Sequence, residues 1–173
     1  MNINIPYKKE RIKEIAEELK KRNDMEDCSI RILITGGKTT GHADYDPDNP
    51  TFMVLCEEPK FLPKEYYDNG VELITLEHQR ILPEVKYTNY ILPISKQKEL
   101  KEKGKFDFLY TYQDKILESV TSSFVLVKNG KLITPKEDIL KGTTREFVLE
   151  IMEDKCEIVR REVRVEELKE ADE

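Results

Sequence analysis

Three groups of residues in this chain have the types needed for chemistry on a carbonyl compound. Lys86 lies in the stretch ILPEVKYTNY, three residues after Pro83 and just ahead of the apolar run Tyr90, Ile91, Leu92. An amine held against an apolar wall finds its charged form costly, so its pKa falls, and a neutral amine attacks a carbonyl to form an imine. Glu118 lies in LESVTSSFVLVKNG at the end of a β-rich run, followed by Thr121, Ser122 and Ser123. A carboxylate at a strand end can face a pocket and pair with a protonated heteroaromatic nitrogen, the electron sink that carbanion chemistry requires. Gly142, Thr143 and Thr144, in ILKGTTREFVLEI, precede a helical pattern with Phe147, Val148 and Ile151 on its apolar side. Free N–H groups and two hydroxyls at such a helix start suit a phosphate. Each group also has a plainer reading. A lysine among 29 Lys and Arg is most often a solvated charge, Glu118 fits an exposed charge at a turn, and Thr143 with Glu146 fits a capping box. Together they make three parts of one cofactor site.

The elements that must position them follow from hydrophobic periodicity. Ile12, Ile15, Ala16 and Leu19 fall at helical spacing and predict an amphipathic helix over 7–22. Ile30, Ile32 and Ile34 alternate through 29–35, and 51–56 is a second apolar run, so the two are expected to pair as antiparallel strands. The Gly, Asp, Asn and Pro content of GGKTTGHADYDPDNP between them predicts a long loop. EEPKFLPKEY, with Pro59 and Pro63, reads as a linker, giving a small lobe over 1–58, a linker over 59–66 and a larger lobe over 67–173.

In the larger lobe, 71–76 reads as a strand leading into the Lys86 stretch, 90–103 as a helix closed by Gly104, and 106–112 as a strand. Asn129-Gly130 between 124–128 and 131–134 supplies the two positive φ angles of a type I′ hairpin turn. A helix over 143–152, a strand over 157–165 and the start of a further helix at 166–171 complete an α+β (α/β) pattern.

Composition narrows the function classes. Lys and Arg total 29 against 35 Asp and Glu, a net charge of -6 with the signs interspersed, which argues against nucleic acid as the main partner. Cys28, Cys56 and Cys156 are odd in number and far apart in sequence, with no CxxC and only His42 and His78 beside them. Neither a disulfide framework nor a metal site is expected, and the reading is a protein of the reducing cytoplasm. No signal-like or membrane-spanning apolar run is present.

LPEVKYTNY, LESVTSSFVLVKNGKLITP and ILKGTTREFVLEI, in this order, resemble the pyridoxal-phosphate-dependent class IV aminotransferases. That family includes the branched-chain and D-amino acid aminotransferases and aminodeoxychorismate lyase. The resemblance implies a two-lobed fold, with part of the small domain and most of the large β-rich cofactor domain in this chain. It implies pyridoxal 5′-phosphate as cofactor, an amino acid and a 2-oxo acid as substrates, and a homodimer. Lys86 is implied to be the Schiff-base lysine and Glu118 the partner of the pyridine nitrogen. Tyr90 matches the residue bonded to the ring hydroxyl in branched-chain members. Thr121 and Ser122 match a serine-rich stretch lining the cofactor, and Thr143 and Thr144 match the phosphate-binding turn. Arg80 resembles a basic residue that precedes the lysine in D-alanine-like members.

Thr35-Gly36-Gly37 stands where D-amino acid members often have Thr-Arg-Gly, whose arginine helps bind the substrate carboxylate. The family's first strands and its final strand with a Ser/Thr turn are expected to lie outside this sequence. A lyase of the aminodeoxychorismate lyase type, or a reduced relative serving as a structural or partner-binding module, are the alternative expectations.

Overall fold

Period-two alternation in β1 (Ser29–Thr35) and β2 (Thr51–Glu57) produces the expected antiparallel pair, with Ile30 opposite Cys56, Ile32 opposite Val54 and Ile34 opposite Phe52. The computed structural model describes residues 2–39, 41–42 and 44–173; Thr40 and Ala43 of the expected long loop lie outside the described residues, as does Met1. Within that loop an isolated bridge joins Thr39 to Tyr45. The amphipathic helix α1 spans Lys9–Arg22. These elements belong to a first compact unit, residues 1–64, in which no described residue is fully buried.

The second unit, residues 65–173, holds the core. The division lies between Lys64 and Glu65, within the 59–66 segment read as linker, and a short helix α2 (Lys64–Asn69) occupies the end of that segment and runs beyond it. In this unit Tyr66 meets Phe106 edge-on, at a centroid distance of 5.4 Å. Two three-stranded sheets follow. In the first, β3 (Leu73–Glu77) runs parallel to β4 (Asp107–Tyr112), and β4 antiparallel to β5 (Lys115–Ser119). In the second, β6 (Leu126–Lys128) and β7 (Lys131–Thr134) form the Asn-Gly hairpin, and β7 runs parallel to β8 (Ile158–Arg160). Asn129 and Gly130 take φ of 52° and 71°, as the primed turn requires.

Alternation along β4 and β5 divides the core. Phe108, Tyr110 and Leu117 join Leu100 and Ile139 in one cluster, while Leu109 and Ile116 join Leu126, Ile133 and Val163 in the other. Each large side chain buried this way contributes about 1.5–3 kcal/mol. Parallel strands need crossovers. α3 (Ile91–Ser95) and α4 (Gln97–Glu102) lie in the one from β3 to β4, and α5 (Thr143–Met152) in the one from β7 to β8.

Several boundaries differ from expectation. The helix read over 90–103 is two short helices meeting at Lys96, with Pro93 in the first turn of α3, where no ladder N–H is needed. Its end is as expected: Gly104 at φ 61° closes α4, with Gly104 N–H donating to Lys101 O and Lys105 N–H to Leu100 O. The strand read over 157–165 is cut to Ile158–Arg160, and Val163 instead plugs the second cluster. The final segment is a 3-10 helix, Val165–Glu170, that does end within the chain. Beyond it, Asp172 N–H donates to Val127 O and Val127 N–H to Glu173 O, tying the tail to β6. Among the described residues no helix is long and apolar enough to cross a membrane.

Candidate functional site

All eight sequence-nominated residues line one cavity of about 570 Å³ in the second unit: Arg80, Lys86, Tyr90, Glu118, Thr121, Ser122, Thr143 and Thr144. Both crossovers and the end of β5 contribute. Arg80, Lys86 and Tyr90 come from the segment entering α3, Glu118 to Ser123 from β5 and its exit, and Leu140 to Arg145 from the entry to α5.

Glu118 is not an exposed turn charge; its side chain is 8% exposed. Its Oε2 accepts a hydrogen bond from Leu140 N at 3.1 Å. Its Oε1 lies 3.3 Å from Arg80 Nε, but neither atom has a hydrogen-bond partner. Burial pushes the Glu118 carboxyl above the ordinary range, opposed by the Leu140 bond and by the charges of Arg80, Arg145 and Lys86. A buried carboxylate with one unspent acceptor is costly unless something donates to it.

Arg80 is held from several sides. Its Nη2 donates to the carbonyl oxygens of Pro83 and Val85, and its guanidinium carbon lies 5.0 Å over the Tyr87 ring. These bonds fasten the turn that precedes Lys86, in which Leu82 takes a φ of 57° and Val85 N–H donates to Leu82 O.

Lys86 departs from expectation. It lines the cavity with Glu118 and the α5 entry, yet the residue is exposed. The preceding turn folds back on Arg80 and leaves Ile81 and Leu82 facing solvent, while Val85 is half-buried. Tyr90, half-buried, is the N-cap residue of α3.

The start of α5 differs from the capping box. Gly142, not Thr143, holds the N-cap position, and no side chain caps the helix. Glu146 turns instead to Arg145 Nη2 at 2.7 Å and Arg160 Nη2 at 2.9 Å. The first-turn N–H groups thus remain without a side-chain acceptor beside the hydroxyls of Thr143 and Thr144. A Cβ on Gly142 would meet Ser123 Oγ at 2.5 Å, so the two strips of chain bordering the cavity touch there.

Sequence reasoning missed Arg145, which also lines the cavity although its side chain is only 3% exposed. Its Nη1 donates to Pro135 O at 3.3 Å. An arginine directly after the two threonines was the available signal.

With an amine, a buried acceptor and an uncapped helix start around one cavity, kinship becomes informative. The sequence profile of the family described as "Amino-transferase class IV" matches residues 1–173. This chain belongs to the class IV aminotransferase family. Within the family, the chain is 30% identical over 185 residues to the "Putative branched-chain-amino-acid aminotransferase" of Methanocaldococcus jannaschii, covering 99% of this chain and 62% of that protein. Among solved structures it is similar to a "Putative 4-amino-4-deoxychorismate lyase" from Legionella pneumophila, with a TM-score of 0.87, 18% identity and coverage of 98% and 65%. It is likewise similar to the branched-chain amino acid aminotransferase of Escherichia coli, with a TM-score of 0.81, 19% identity and coverage of 98% and 60%. These structural likenesses establish the shared class IV fold. The chain thus spans about three-fifths of the length of the class IV relatives it matches.

Proposed function

We propose that this member of the class IV family is a pyridoxal-phosphate-dependent aminotransferase that moves an amino group between an amino acid and a 2-oxo acid. The observation that carries the reading is Glu118 Oε1, withdrawn from water and without a donor, in the same cavity as the Lys86 amine and the uncapped start of α5. The residues fit the cofactor. A protonated ring nitrogen would supply the donor that Oε1 lacks, and a phosphate would accept from the N–H groups at α5 and from Thr143 and Thr144. The cavity volume also falls in the range of small-ligand sites.

When bound, pyridoxal phosphate supplies the electron sink that stabilises a carbanion at the substrate Cα. The chain's own residues have separate tasks. Lys86 Nζ would hold the cofactor and would take up and return the proton at the substrate Cα. Glu118 Oε1 keeps the ring nitrogen protonated. Tyr90 orients the ring through its hydroxyl. Thr121 and Ser122 form the wall beside Glu118, where Ser122 N–H donates to Ser119 Oγ at 3.0 Å and fixes the turn. Arg80 acts through Glu118 and through the turn before Lys86, a positioning role in place of direct cofactor contact.

A Cβ on Gly36 would lie 2.8 Å from the Tyr45 ring, so an arginine at that position would displace Tyr45. The D-amino acid mode of carboxylate binding is therefore not proposed for this loop. A homodimer belongs to the same reading.

Titration of the protein with pyridoxal phosphate, followed by absorbance, tests it. A saturable visible band is expected from the wild type and no such band from Lys86→Ala. A wild-type spectrum equal to that of free cofactor would overturn the proposal.

A further inference from the structure

The first unit carries a sulfur cluster that the cavity does not involve. Pairing of Ile30 with Cys56 and Ser29 with Glu57 sets the register. Side chains alternate faces along a strand, so Cys28, two residues before Ile30, lies on the Cys56 face at a diagonal position. The Cys28 thiol lies close enough to raise the Cys56 thiol, and Cys56 Sγ lies 3.5 Å from Met25 Sδ. Both cysteines are half-buried and neither is in a disulfide. The neighbouring Cys28 thiol and burial push the Cys56 thiol up. Cys28 precedes β1, outside the strand ladder, so its backbone is free to close the remaining distance.

We propose that Cys28 and Cys56 form a reversible dithiol–disulfide site whose oxidant is a low-molecular-weight disulfide. Cys28 Sγ, as thiolate, attacks one sulfur of the small disulfide, whose S–S bond breaks and whose other half leaves as a thiolate that takes up a proton. Cys56 then loses its proton to solvent and attacks Cys28 Sγ, expelling the second small thiol. One small disulfide is reduced to two thiols, and the two cysteines lose two electrons together. The new bond closes a ring over β1, the Gly36–Pro50 loop and β2, bracing a hairpin in which no described residue is fully buried. Spacing in the sequence pointed to three separate free thiols; the strand register is what brings two of them together.

The test is equilibration of the whole chain in glutathione buffers of graded ratio, alkylation of remaining thiols, and peptide mapping without reductant. A Cys28–Cys56 linked peptide is expected to appear as the buffer becomes more oxidising and to vanish when dithiothreitol is added. Cys28→Ser and Cys56→Ser should each abolish it, and Cys156→Ser should leave it intact. Recovery of both cysteines as alkylated thiols at every ratio, as separate glutathione adducts, or in links between two chains would overturn the proposal.

Discussion

Arg80 Nε and Glu118 Oε1 stand 3.3 Å apart, with both atoms buried and neither forming a hydrogen bond. Charge balance holds the pair together, while the carboxylate keeps an acceptor for a ligand. Replacing Arg80 by Ala removes the counter-charge and the Nη2 bonds to Pro83 and Val85 that brace the turn before Lys86. Breaking a buried pair from one side costs roughly 3 kcal/mol. Arg80→Ala is expected to lose about that much stability at neutral pH by urea unfolding. The loss should shrink on acidification, as Glu118 takes up a proton and no longer needs a partner. A loss independent of pH would count against the pairing.

Glu118 also gives the native state a proton linkage. Its folded carboxyl is raised, chiefly by burial, so the native protein binds this proton at higher pH than the unfolded chain does. Stability from this group is therefore present at low pH and declines as pH rises through the interval between the ordinary glutamate value and the raised one. In cofactor-free protein the melting temperature of wild type relative to Glu118→Gln should rise on acidification. The opposite slope would mean that the carboxylate is better stabilised than its surroundings indicate. In the same variant the affinity for pyridoxal phosphate should fall about tenfold to a hundredfold, the equivalent of one charge-assisted hydrogen bond.

Gly142 and Ser123 offer a steric test of the α5 entry. Gly142 has φ of -66°, which any residue adopts, so an added methyl group is opposed by Ser123 Oγ and not by the backbone. Gly142→Ala is expected to cost about 1 kcal/mol and to weaken phosphate-dependent cofactor binding. Adding Ser123→Ala should recover most of the stability. Additive losses in the double variant would show that the contact is not the cause.

Local signals carried much of this reading. Asn129-Gly130 and Gly104 announced their turns because positive φ angles select few residue types. The antiparallel pairing of β1 with β2 followed from alternation in the first and the apolar run of the second. The nominated residues Lys86, Glu118, Thr143 and Thr144 do meet in one cavity, as their chemistry required. What escaped depends on distant contacts. The break at Lys96, the short β8 and the buried Arg145 are set by how crossovers return to the sheets. Lys86 is exposed although Arg80 bonds the turn before it, an arrangement invisible without Glu118 in place.

The C-terminal 3-10 helix rests on Glu167. Both of its oxygens accept from Arg161, at 2.8 and 2.6 Å, and Oε1 also accepts from Arg164 N. The Arg161 bond comes first among the causes that lower this carboxyl to about 2. With the folded value below the unfolded one, its stabilisation is present above the ordinary glutamate range and is lost as pH falls toward about 2. Glu167→Gln should destabilise by about 1 kcal/mol at neutral pH. The gap from wild type should close in acid, as followed by thermal melts across pH.

The most direct measurement is reduction of the pyridoxal-phosphate-loaded protein with borohydride, followed by peptide mapping. One stable cofactor adduct is expected, on Lys86, with none in Lys86→Ala. An adduct on another lysine, or spread over many, would contradict the account.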